Sequence, residues 1–231
     1  MAPRKNPHLD RRQVAQTALL LLNEVGLEGL TLRAIAARLD VQAPALYWHF
    51  KDKQALLDEM ATEMVRRMAT ELTDPETDDW RETVGTRMRA LREHLLRYRD
   101  GAKVYSGTRF TDTSYAHAMQ ANLQMLTQVG FTASAAARAW FTAYAYTIGY
   151  VIEEQAMHPR PRQATVAPDS VVTGAGASAE NGEFDLDARA ERLADYPLAA
   201  QAGPELFRNY DDGFETGLHA VLAGIDATLR G

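Results

Sequence analysis

The spacing of apolar residues along this chain is almost everywhere that of an α-helix, and this feature constrains the fold most. One apolar face runs through residues 80–95 at steps of three or four, and another runs through residues 207–229. We find no convincing alternating pattern of a half-buried strand and no internal repeat. The periodicity therefore predicts an all-α fold.

Breaks in this periodicity divide the chain into helices. Gly26 is expected to end a first helix over residues 10–25, and Thr31 is the predicted N-cap of a short second helix. A short third helix is expected over residues 42–50, and Asp52 is placed to cap a longer fourth one. Further helices are predicted at about 80–95, 112–129, 133–157, 187–194 and 204–230.

Composition excludes several classes of protein. The chain has no cysteine, so a disulfide framework, a cysteine–zinc site and a thiol nucleophile are all excluded. The first residues, MAPRKNPHLDRRQ, are charged and lack the apolar region of a signal peptide. No uncharged apolar run approaches the roughly 18 residues that a membrane span needs. We therefore expect a cytoplasmic protein with no membrane partner.

The net charge of −6 conceals an asymmetry between the two parts of the chain. Residues 1–53 carry eight Lys or Arg against five acidic residues, whereas the remainder carries 17 basic and 26 acidic residues. The first part is therefore +3 and the rest −9. A basic head on an acidic body is compatible with a polyanionic partner for the head, because opposite charge raises the encounter rate.

Residues 158–182 differ from the rest of the chain. Three of the nine prolines fall within ten residues of this stretch, and three glycines follow among Ala and Ser. Such a sequence has little apolar surface to offset the entropy of ordering, so a mobile loop is predicted here.

Three short helices within the first 50 or so residues form a helix-turn-helix pattern. The third contains QAPALYWHF, residues 42–50, which has small side chains for close approach and rings with polar tips, and no acidic residue. Arg33 and Lys53 lie at the starts of the neighbouring helices, where basic side chains can meet phosphates. The segment predicts DNA binding, although core packing is an equal alternative for Tyr47 and Phe50.

Residues 21–60 resemble the DNA-binding head of the TetR family of transcriptional regulators. The segments RDGAKVYSGTR (99–109), VGF (129–131) and IGYVIEEQ (148–155) resemble the tetracycline-repressor branch of that family. The resemblance implies a homodimeric repressor that binds a palindromic operator and is released by a ligand, rather than an enzyme. It implies a DNA-binding domain over residues 1–52 and a ligand-binding and dimerisation domain over residues 53–231.

In that family the third helix contacts bases, while an arginine of the second helix and a lysine of the fourth hold the DNA backbone. Ala43 and Ala45 replace a Gln and a Thr of the tetracycline-repressor pattern, and alanine cannot donate hydrogen bonds to bases. The operator sequence is therefore expected to differ. The predicted DNA-binding residues are Arg33, Gln42, Ala43, Pro44, Ala45, Tyr47, Trp48, His49 and Lys53.

The expected ligand pocket departs from the family pattern further. Tyr105 replaces a histidine that contacts a magnesium–tetracycline complex, and a neutral phenol is a poor Mg²⁺ ligand. Other drug-contacting polar positions correspond to Ala69, Arg87, Asn122 and Ala145, whereas Thr108, Arg109 and Glu153 keep their identities. Because of these departures from the family pattern we expect no metal and no cofactor, and a hydrophobic or aromatic effector rather than tetracycline.

The candidate ligand-binding residues combine apolar walls with a few polar groups, as ligand sites generally do. Each apolar member is equally compatible with plain core packing. Arg87 lies on the apolar face of its helix, so it needs a partner, and we expect Glu153 or an anionic group of the ligand. The set is Arg87, Leu91, Tyr105, Thr108, Arg109, Tyr115, Met119, Asn122, Trp140, Phe141, Tyr144, Ile148 and Glu153.

The last helix contains Gly213, Gly217 and Gly224, and each glycine inside a helix costs about 1 kcal/mol relative to Ala. Close helix–helix approach would offset this cost. The resemblance implies that this helix and the one over residues 133–157 form an intersubunit four-helix bundle, with monomer-core packing as the alternative.

Alternative functions stay open at this level. The regulated gene could encode an efflux or resistance protein, or the chain could be a receptor for a small signalling molecule made by the cell itself. An all-helical enzyme using the same pocket is a third possibility, which no catalytic pair supports. A helical scaffold would leave the 42–50 segment without a purpose.

Overall fold

The computed structural model of the protein describes residues 9–71, 77–158 and 185–230, and within these ranges it consists of helices and connecting loops. The all-α prediction is therefore confirmed. The predicted loop lies outside the described residues from position 159 onward. The helices are α1 Arg11–Gly29, α2 Leu32–Arg38, α3 Ala43–Tyr47, α4 Lys53–Glu71, α5 Trp80–Leu96, α6 Gly101–Tyr105, α7 Ala116–Gln128, α8 Ala133–Met157, α9 Leu186–Arg192, α10 Pro197–Gln201, α11 Gly203–Phe207 and α12 Tyr210–Leu229.

The helix starts expected in the head are confirmed in atomic detail. Thr31 Oγ1 accepts a hydrogen bond of 3.1 Å from the backbone N–H of Ala34, and Asp52 Oδ1 accepts one of 2.8 Å from that of Ala55. Both are side-chain caps that satisfy a helix donor left without an intrahelical partner. At Gly26 the backbone turns to φ +70° and ψ 176°, which kinks α1 where the sequence predicted its end.

The first three helices form a small bundle that is held onto the start of α4. Their contact region is fully buried and includes Leu19, Leu22, Ile35, Leu46 and Phe50. Helix α1 packs along α4, so α4 belongs to the core of the head at its beginning and to that of the body at its end.

In the body, α8 packs against both α5 and α12. Arg92 joins the three helices: its guanidinium forms two hydrogen bonds, of 2.7 and 2.9 Å, with Glu154 on α8. The same group lies 5.0 Å from the ring centre of Phe214 on α12 and pairs with Asp211 at 2.8 Å. This group fixes the relative position of the three helices.

Several predicted boundaries are wrong. Helix α3 ends at Tyr47, and α7 begins only at Ala116, because Asp112 accepts a turn hydrogen bond from the backbone N–H of Ser114. The expected helix over residues 204–230 is broken between Phe207 and Tyr210, since Asn209 takes a non-helical ψ of 50°. The sequence does not predict helix α6, because Gly101 and Gly107 both indicate breaks in helical structure.

No helix in the described part of the chain is both long and apolar enough to span a bilayer.

Candidate nucleic-acid interface and ligand site

The third helix presents two large aromatic side chains to solvent. Leu46 and Phe50 are fully buried and anchor the helix, whereas Tyr47 is 56% exposed and Trp48 is 91% exposed. The Arg11 guanidinium lies 4.6 Å from the centre of the Phe50 ring and donates a hydrogen bond to the His49 carbonyl oxygen. Core packing is therefore correct for Phe50 and wrong for Tyr47, and the segment offers an outward aromatic surface.

The other predicted DNA contacts divide by exposure. Arg33, Gln42 and Pro44 are exposed, whereas Ala43, Ala45 and His49 are half-buried. Exposure is the minimum requirement for a DNA contact, and the first three meet it fully.

Lys53 is exposed at the first turn of α4, and its Nζ donates a hydrogen bond of 3.0 Å to the Leu27 carbonyl oxygen. In this state the ammonium is bound to the end of α1. Contact with a phosphate would have to compete with that hydrogen bond.

Aromatic side chains predicted for the ligand site do come together in the body. The ring centres of Tyr105 and Tyr144 lie 6.3 Å apart, and those of Tyr144 and Phe141 lie 6.0 Å apart. Phe110, which the sequence analysis did not single out, lies 5.8 Å from Tyr105 and 5.1 Å from Tyr115. Phe110 directly follows the segment 99–109, and this adjacency is the sequence feature that could have identified it as a candidate.

The environment of Tyr105 bears on metal binding. Its side chain is buried, and burial raises the pKa of its phenol well above the ordinary value, with a further contribution from Tyr144. The phenol therefore stays protonated at neutral pH and is a poor ligand for Mg²⁺. Within the described residues no group of three or more His, Cys, Asp or Glu side chains has the arrangement of a metal site. These donors do not fit a tyrosine-bound magnesium complex.

Arg87, on α5, is the predicted polar anchor of the ligand site. Its Nη1 donates a hydrogen bond to Oδ1 of Asn122, which is buried on α7. Glu153, the protein partner expected for Arg87, lies on the exposed side of α8, and their pairing stays a prediction. The neighbouring Glu154 faces inward and is bound by Arg92. Two positions predicted for the ligand site, Arg87 and Asn122, thus contact each other directly.

The remaining predicted ligand residues occupy different environments. Leu91 and Ile148 are buried, and Trp140 and Tyr115 are half-buried. Thr108 Oγ1 donates a hydrogen bond of 2.7 Å to the carbonyl oxygen of Val104, and this bond caps the end of α6.

Besides Glu153, three further members of the set are exposed in the single chain. Met119 is 45% exposed and Phe141 is 65% exposed. Arg109 is also exposed, and its backbone N–H donates a hydrogen bond of 3.2 Å to Asp58 Oδ1.

A set of hydrogen bonds that the sequence analysis missed joins the head to the body. Asp100 Oδ2 accepts a hydrogen bond of 2.9 Å from the Leu27 N–H, and Asn23 Oδ1 accepts one of 2.7 Å from the Arg99 N–H. Gln155, near the end of α8, donates 2.8 Å to the Tyr98 carbonyl oxygen at the same junction. The partners lie more than 50 residues apart, so spacing gave no signal.

A second connection is ionic. Glu59 and Glu63 on α4 are buried, and Arg66 pairs with both at 3.1 and 3.4 Å. Arg11 on α1 binds Glu59 at 3.0 Å, while Arg66 also binds Asp112, in the loop before α7, at 2.6 Å. The network therefore runs from the head, through α4, to the loop that carries the aromatic cluster.

Two glycines of the last helix, Gly213 and Gly217, allow close packing of α12 against α8 within one chain. A Cβ on Gly217 would collide with the Tyr146 hydroxyl, and one on Gly213 would collide with that of Tyr150. Monomer-core packing is therefore correct for these two glycines. Gly224 has open space around its Cβ position and lies on the exposed side of α12, where the small residues Ala220, Ala223 and Ala227 are also exposed.

Comparison with known proteins connects both halves of the chain to one family. Residues 15–60 match the family described as bacterial regulatory proteins, tetR family, and residues 72–229 match the tetracyclin repressor-like, C-terminal domain. The chain is 37% identical over 218 residues to the tetracycline repressor protein class C of Escherichia coli, covering 94% of this chain and 91% of that protein.

Solved structures agree with this similarity. A possible TetR family transcriptional regulator from Streptomyces coelicolor A3(2) superposes with a TM-score of 0.75 at 35% identity, covering 94% of this chain and 99% of the other. A TetR variant from Acinetobacter baumannii AYE, in complex with minocycline, gives a TM-score of 0.68 at 32% identity, with 96% and 99% covered.

Proposed function

The chain belongs to the TetR family of bacterial regulatory proteins, whose members are DNA-binding regulators and not enzymes, and we propose that it is an operator-binding repressor. Residues 1–52 form its DNA-binding domain in this proposal, and residues 53–231 bind the effector and a second copy of the chain. Its place of action is the cytoplasm, where the operator is.

The observation that carries the proposal is the exposed Tyr47–Trp48 pair on a helix anchored by Leu46. A solvent-exposed indole, 91% accessible, gains nothing for the fold of the isolated chain. In a major groove the same ring and the neighbouring small residues reach base edges and thymine methyl groups. Arg33 and Lys53 then meet the phosphates on either side, with Gln42, Ala43, Pro44, Ala45 and His49 completing the contact surface.

The protein acts as a homodimer in this proposal. The outer sides of α8 and α12 carry small residues that allow helices of a second copy to approach closely, and Phe141, on α8, is 65% exposed. Twofold symmetry sets the two third helices about 34–36 Å apart, one turn of DNA. The operator is therefore expected to be a near-palindrome.

The effector is a hydrophobic or aromatic small molecule bound without metal beside Tyr105, Tyr144 and Phe110. The rings, with centres 5.8 and 6.3 Å apart, offer stacking surfaces to a flat ligand, and the Arg87–Asn122 pair supplies hydrogen bonds. We propose that the other predicted residues complete the contact with the effector: Leu91, Thr108, Arg109, Tyr115, Met119, Trp140, Ile148 and Glu153. Since the related proteins are tetracycline repressors, we propose that the regulated gene is an efflux or resistance gene.

Release follows if the effector prefers an orientation of the head that does not match the operator. The effector shifts the equilibrium only by its difference in affinity for the two orientations. The Asp100–Leu27 hydrogen bond and the Arg66 network are the connections through which a movement of α4 or α6 reaches the head.

The test is selection of bound sequences from a random pool of duplex DNA, with purified protein at physiological salt. We expect an enriched palindrome with half-sites one turn apart, and loss of enrichment for Trp48→Ala. Leu20→Ala is the matched control, because Leu20 is an exposed apolar side chain of the same head, on α1. Retention of no particular sequence by the native chain would contradict the proposal.

Sedimentation equilibrium tests the dimer separately. A mass of twice 25.6 kDa at micromolar concentration is expected. A single-chain mass under conditions that support sequence-specific DNA binding would contradict the dimeric reading.

A further inference from the structure

A cleft of about 560 Å³ lies at the junction of head and body, apart from the aromatic cluster. Its walls come from the end of α1 and the first turn of α4 on one side, and from residues 96–103 and the end of α8 on the other. The volume is within the range of small-molecule sites. We propose that this cleft binds a small organic carboxylate, with Arg99 as its main anchor.

In the lining of this cleft, one donor of the Arg99 guanidinium lacks a partner. Its Nη1 is buried and has no hydrogen-bond acceptor in the described part of the chain, where Arg99 also forms no ion pair. A buried donor of a charged group that is left unpaired is costly. A carboxylate is the acceptor whose two oxygens match the fork of a guanidinium.

The geometry around Gly26 holds the guanidinium in place. A Cβ on Gly26 would lie 2.9 Å from Arg99 Nε and 3.1 Å from Cζ, so the guanidinium packs directly against the kinked backbone of α1. Gly26 also requires its positive φ of 70°. A residue other than glycine would displace the guanidinium, and the position of Arg99 is therefore built into the fold.

The acidic groups of the cleft do not supply the missing acceptor. Both oxygens of Glu154 are bound by Arg92. Asp100 accepts from the Leu27 N–H and lies 3.4 Å from Lys103 Nζ. Glu28 is exposed to solvent. Lys53 and Lys103 add two further cations to the lining, and both are exposed enough to turn toward an anion.

The rest of the lining sets the kind of anion. Val25, Leu27 and Leu96 give the cleft apolar walls, and Tyr98 adds an aromatic one. Such walls favour a carboxylate with an apolar body over a bare inorganic ion, because the body is removed from water on binding. Inorganic phosphate shares the charge but not this contribution.

Binding here would oppose binding of DNA. Lys53 lines the cleft and is also a proposed phosphate contact, and one ammonium group cannot serve the bound carboxylate and the DNA backbone together. The two ligands are therefore coupled negatively and reciprocally. This consequence rests on the proposed function, whereas binding of the carboxylate does not.

Binding is tested by isothermal titration of the full chain with benzoate, with its neutral analogue benzamide, and with inorganic phosphate. We expect benzoate to bind most tightly, phosphate at least threefold more weakly and benzamide at least tenfold more weakly. Arg99→Gln should weaken the binding of benzoate at least tenfold. Arg97→Gln, two residues earlier and paired with Glu71 and Glu93, should change it less than twofold. Equal affinity for benzoate and benzamide, or unchanged affinity in Arg99→Gln, overturns the proposal.

The location is tested by amide chemical shifts in the native chain, which does not depend on any variant folding. Benzoate should shift the amides of residues 25–29 and 98–103. Shifts confined to the surroundings of Arg87 and Asn122 would place benzoate in the other site and overturn the proposal. As a second variant, Lys103→Gln, on the surface of α6, should weaken benzoate twofold to fivefold.

The coupling is measured with a selected operator duplex. Saturating benzoate should weaken operator binding at least threefold, and benzamide should not. Benzoate bound in the cleft with no effect on operator affinity overturns the coupling alone. Absence of operator binding without benzoate would instead count against the proposed function.

Discussion

The carboxylate of Asp100 accepts a hydrogen bond of 2.9 Å from the backbone N–H of Leu27, across the junction between body and head. Leu27 follows the kink of α1 at Gly26, and Asp100 precedes α6 with a left-handed φ of 56°. The contact links the first residue before α6 to the end of the first head helix. A movement of α6 is therefore transmitted to the head through a single side chain, that of Asp100.

Asp100→Ala should destabilise the protein, because the Leu27 N–H loses its acceptor and alanine is disfavoured at positive φ. We expect a loss of about 2–3 kcal/mol in the free energy of unfolding, measured in urea. Asp100→Asn keeps an acceptor oxygen and tolerates the left-handed conformation, so it should lose less than half as much. Equal losses in the two variants would show that the hydrogen bond does not hold the junction.

Unfolding free energies should distinguish the residues of the head that stabilise its fold from those that contact DNA. Phe50→Ala removes a fully buried ring and should cost about 3–5 kcal/mol in unfolding free energy. Trp48→Ala removes an exposed ring and should stay within about 0.5 kcal/mol of the native value. Chemical unfolding followed by circular dichroism measures both, and a large stability loss in Trp48→Ala would assign the indole to the core.

Arg66→Met should destabilise the protein, because it leaves the buried carboxylates of Glu59 and Glu63 with fewer partners. Because Arg11, Arg12 and Arg67 still pair with those carboxylates, we expect about 1–3 kcal/mol, below the cost of an isolated buried charge. Asp112→Asn removes only the outer, more exposed pair and should cost at most about 1 kcal/mol. A larger effect for Asp112→Asn than for Arg66→Met would contradict this order.

The same cluster gives an acid-dependent loss of stability. Burial by itself would raise the pKa of Glu63, but hydrogen bonds from Gln16, Arg67 and Arg12 lower it below the ordinary value of 4.5. A carboxyl with a lowered folded-state pKa stabilises the fold above its unfolded pKa and loses that contribution as the pH falls. Unfolding free energy should therefore decline below about pH 4.5, and Glu63→Gln should flatten this decline.

His94 predicts a second pH dependence at higher pH. The imidazole is buried, neither ring nitrogen has a hydrogen-bond partner among the described residues, and burial lowers its pKa below 6.5 despite Glu71 at 3.6 Å. The unfolded chain then binds a proton more readily than the folded one, so stability falls as the pH drops through about 6.5.

Urea unfolding at pH 7.5, 6.5 and 5.5 measures this dependence. His94→Leu should weaken it, whereas His117→Gln, at an exposed position on α7, should leave it unchanged. An identical pH profile in His94→Leu and the native chain would rule out His94 as its source.

Gly217 should be sensitive to substitution because of Tyr146. Burial raises the pKa of Tyr146 to about 12, so its hydroxyl is a neutral donor, and it donates 3.0 Å to the Phe214 carbonyl oxygen. Gly217→Ala places a methyl group on that hydroxyl and should cost about 1–3 kcal/mol, more than the helix propensity gained.

A double-mutant cycle isolates this contact. In a Tyr146→Phe background the hydroxyl is gone, and the cost of Gly217→Ala should fall by at least half. Unfolding is compared at one protein concentration, since association changes apparent stability. The same cost in both backgrounds would mean that the methyl group meets something other than the hydroxyl.

Local features of this fold could be predicted from the sequence, and long-range pairs could not. The caps at Thr31 and Asp52 depend on residues three positions away, and both are confirmed. Arg87 and Asn122 are 35 residues apart, and the Arg66–Asp112 pair spans 46, so no local pattern could pair them.

The limits of the sequence-based prediction have physical causes of the same kind. Glu153 and Glu154 are adjacent, and only the rotation of α8 decides which of them faces Arg92 and which faces solvent. At Asn209 the apolar stripe continues past a residue whose backbone leaves the helix, so periodicity alone joined two helices. Whether Tyr47 packs in the core or faces solvent depends on the burial of its neighbours Leu46 and Phe50, which requires the three-dimensional packing.

The central claim is that effector and operator bind opposing states of one protein. Its most direct test is the operator dissociation constant with and without a releasing aromatic compound, together with the constant of that compound with and without operator. The account predicts that each ligand weakens the other by the same factor, because coupling between binding sites is reciprocal. Equal affinities in the presence and absence of the other ligand would contradict it.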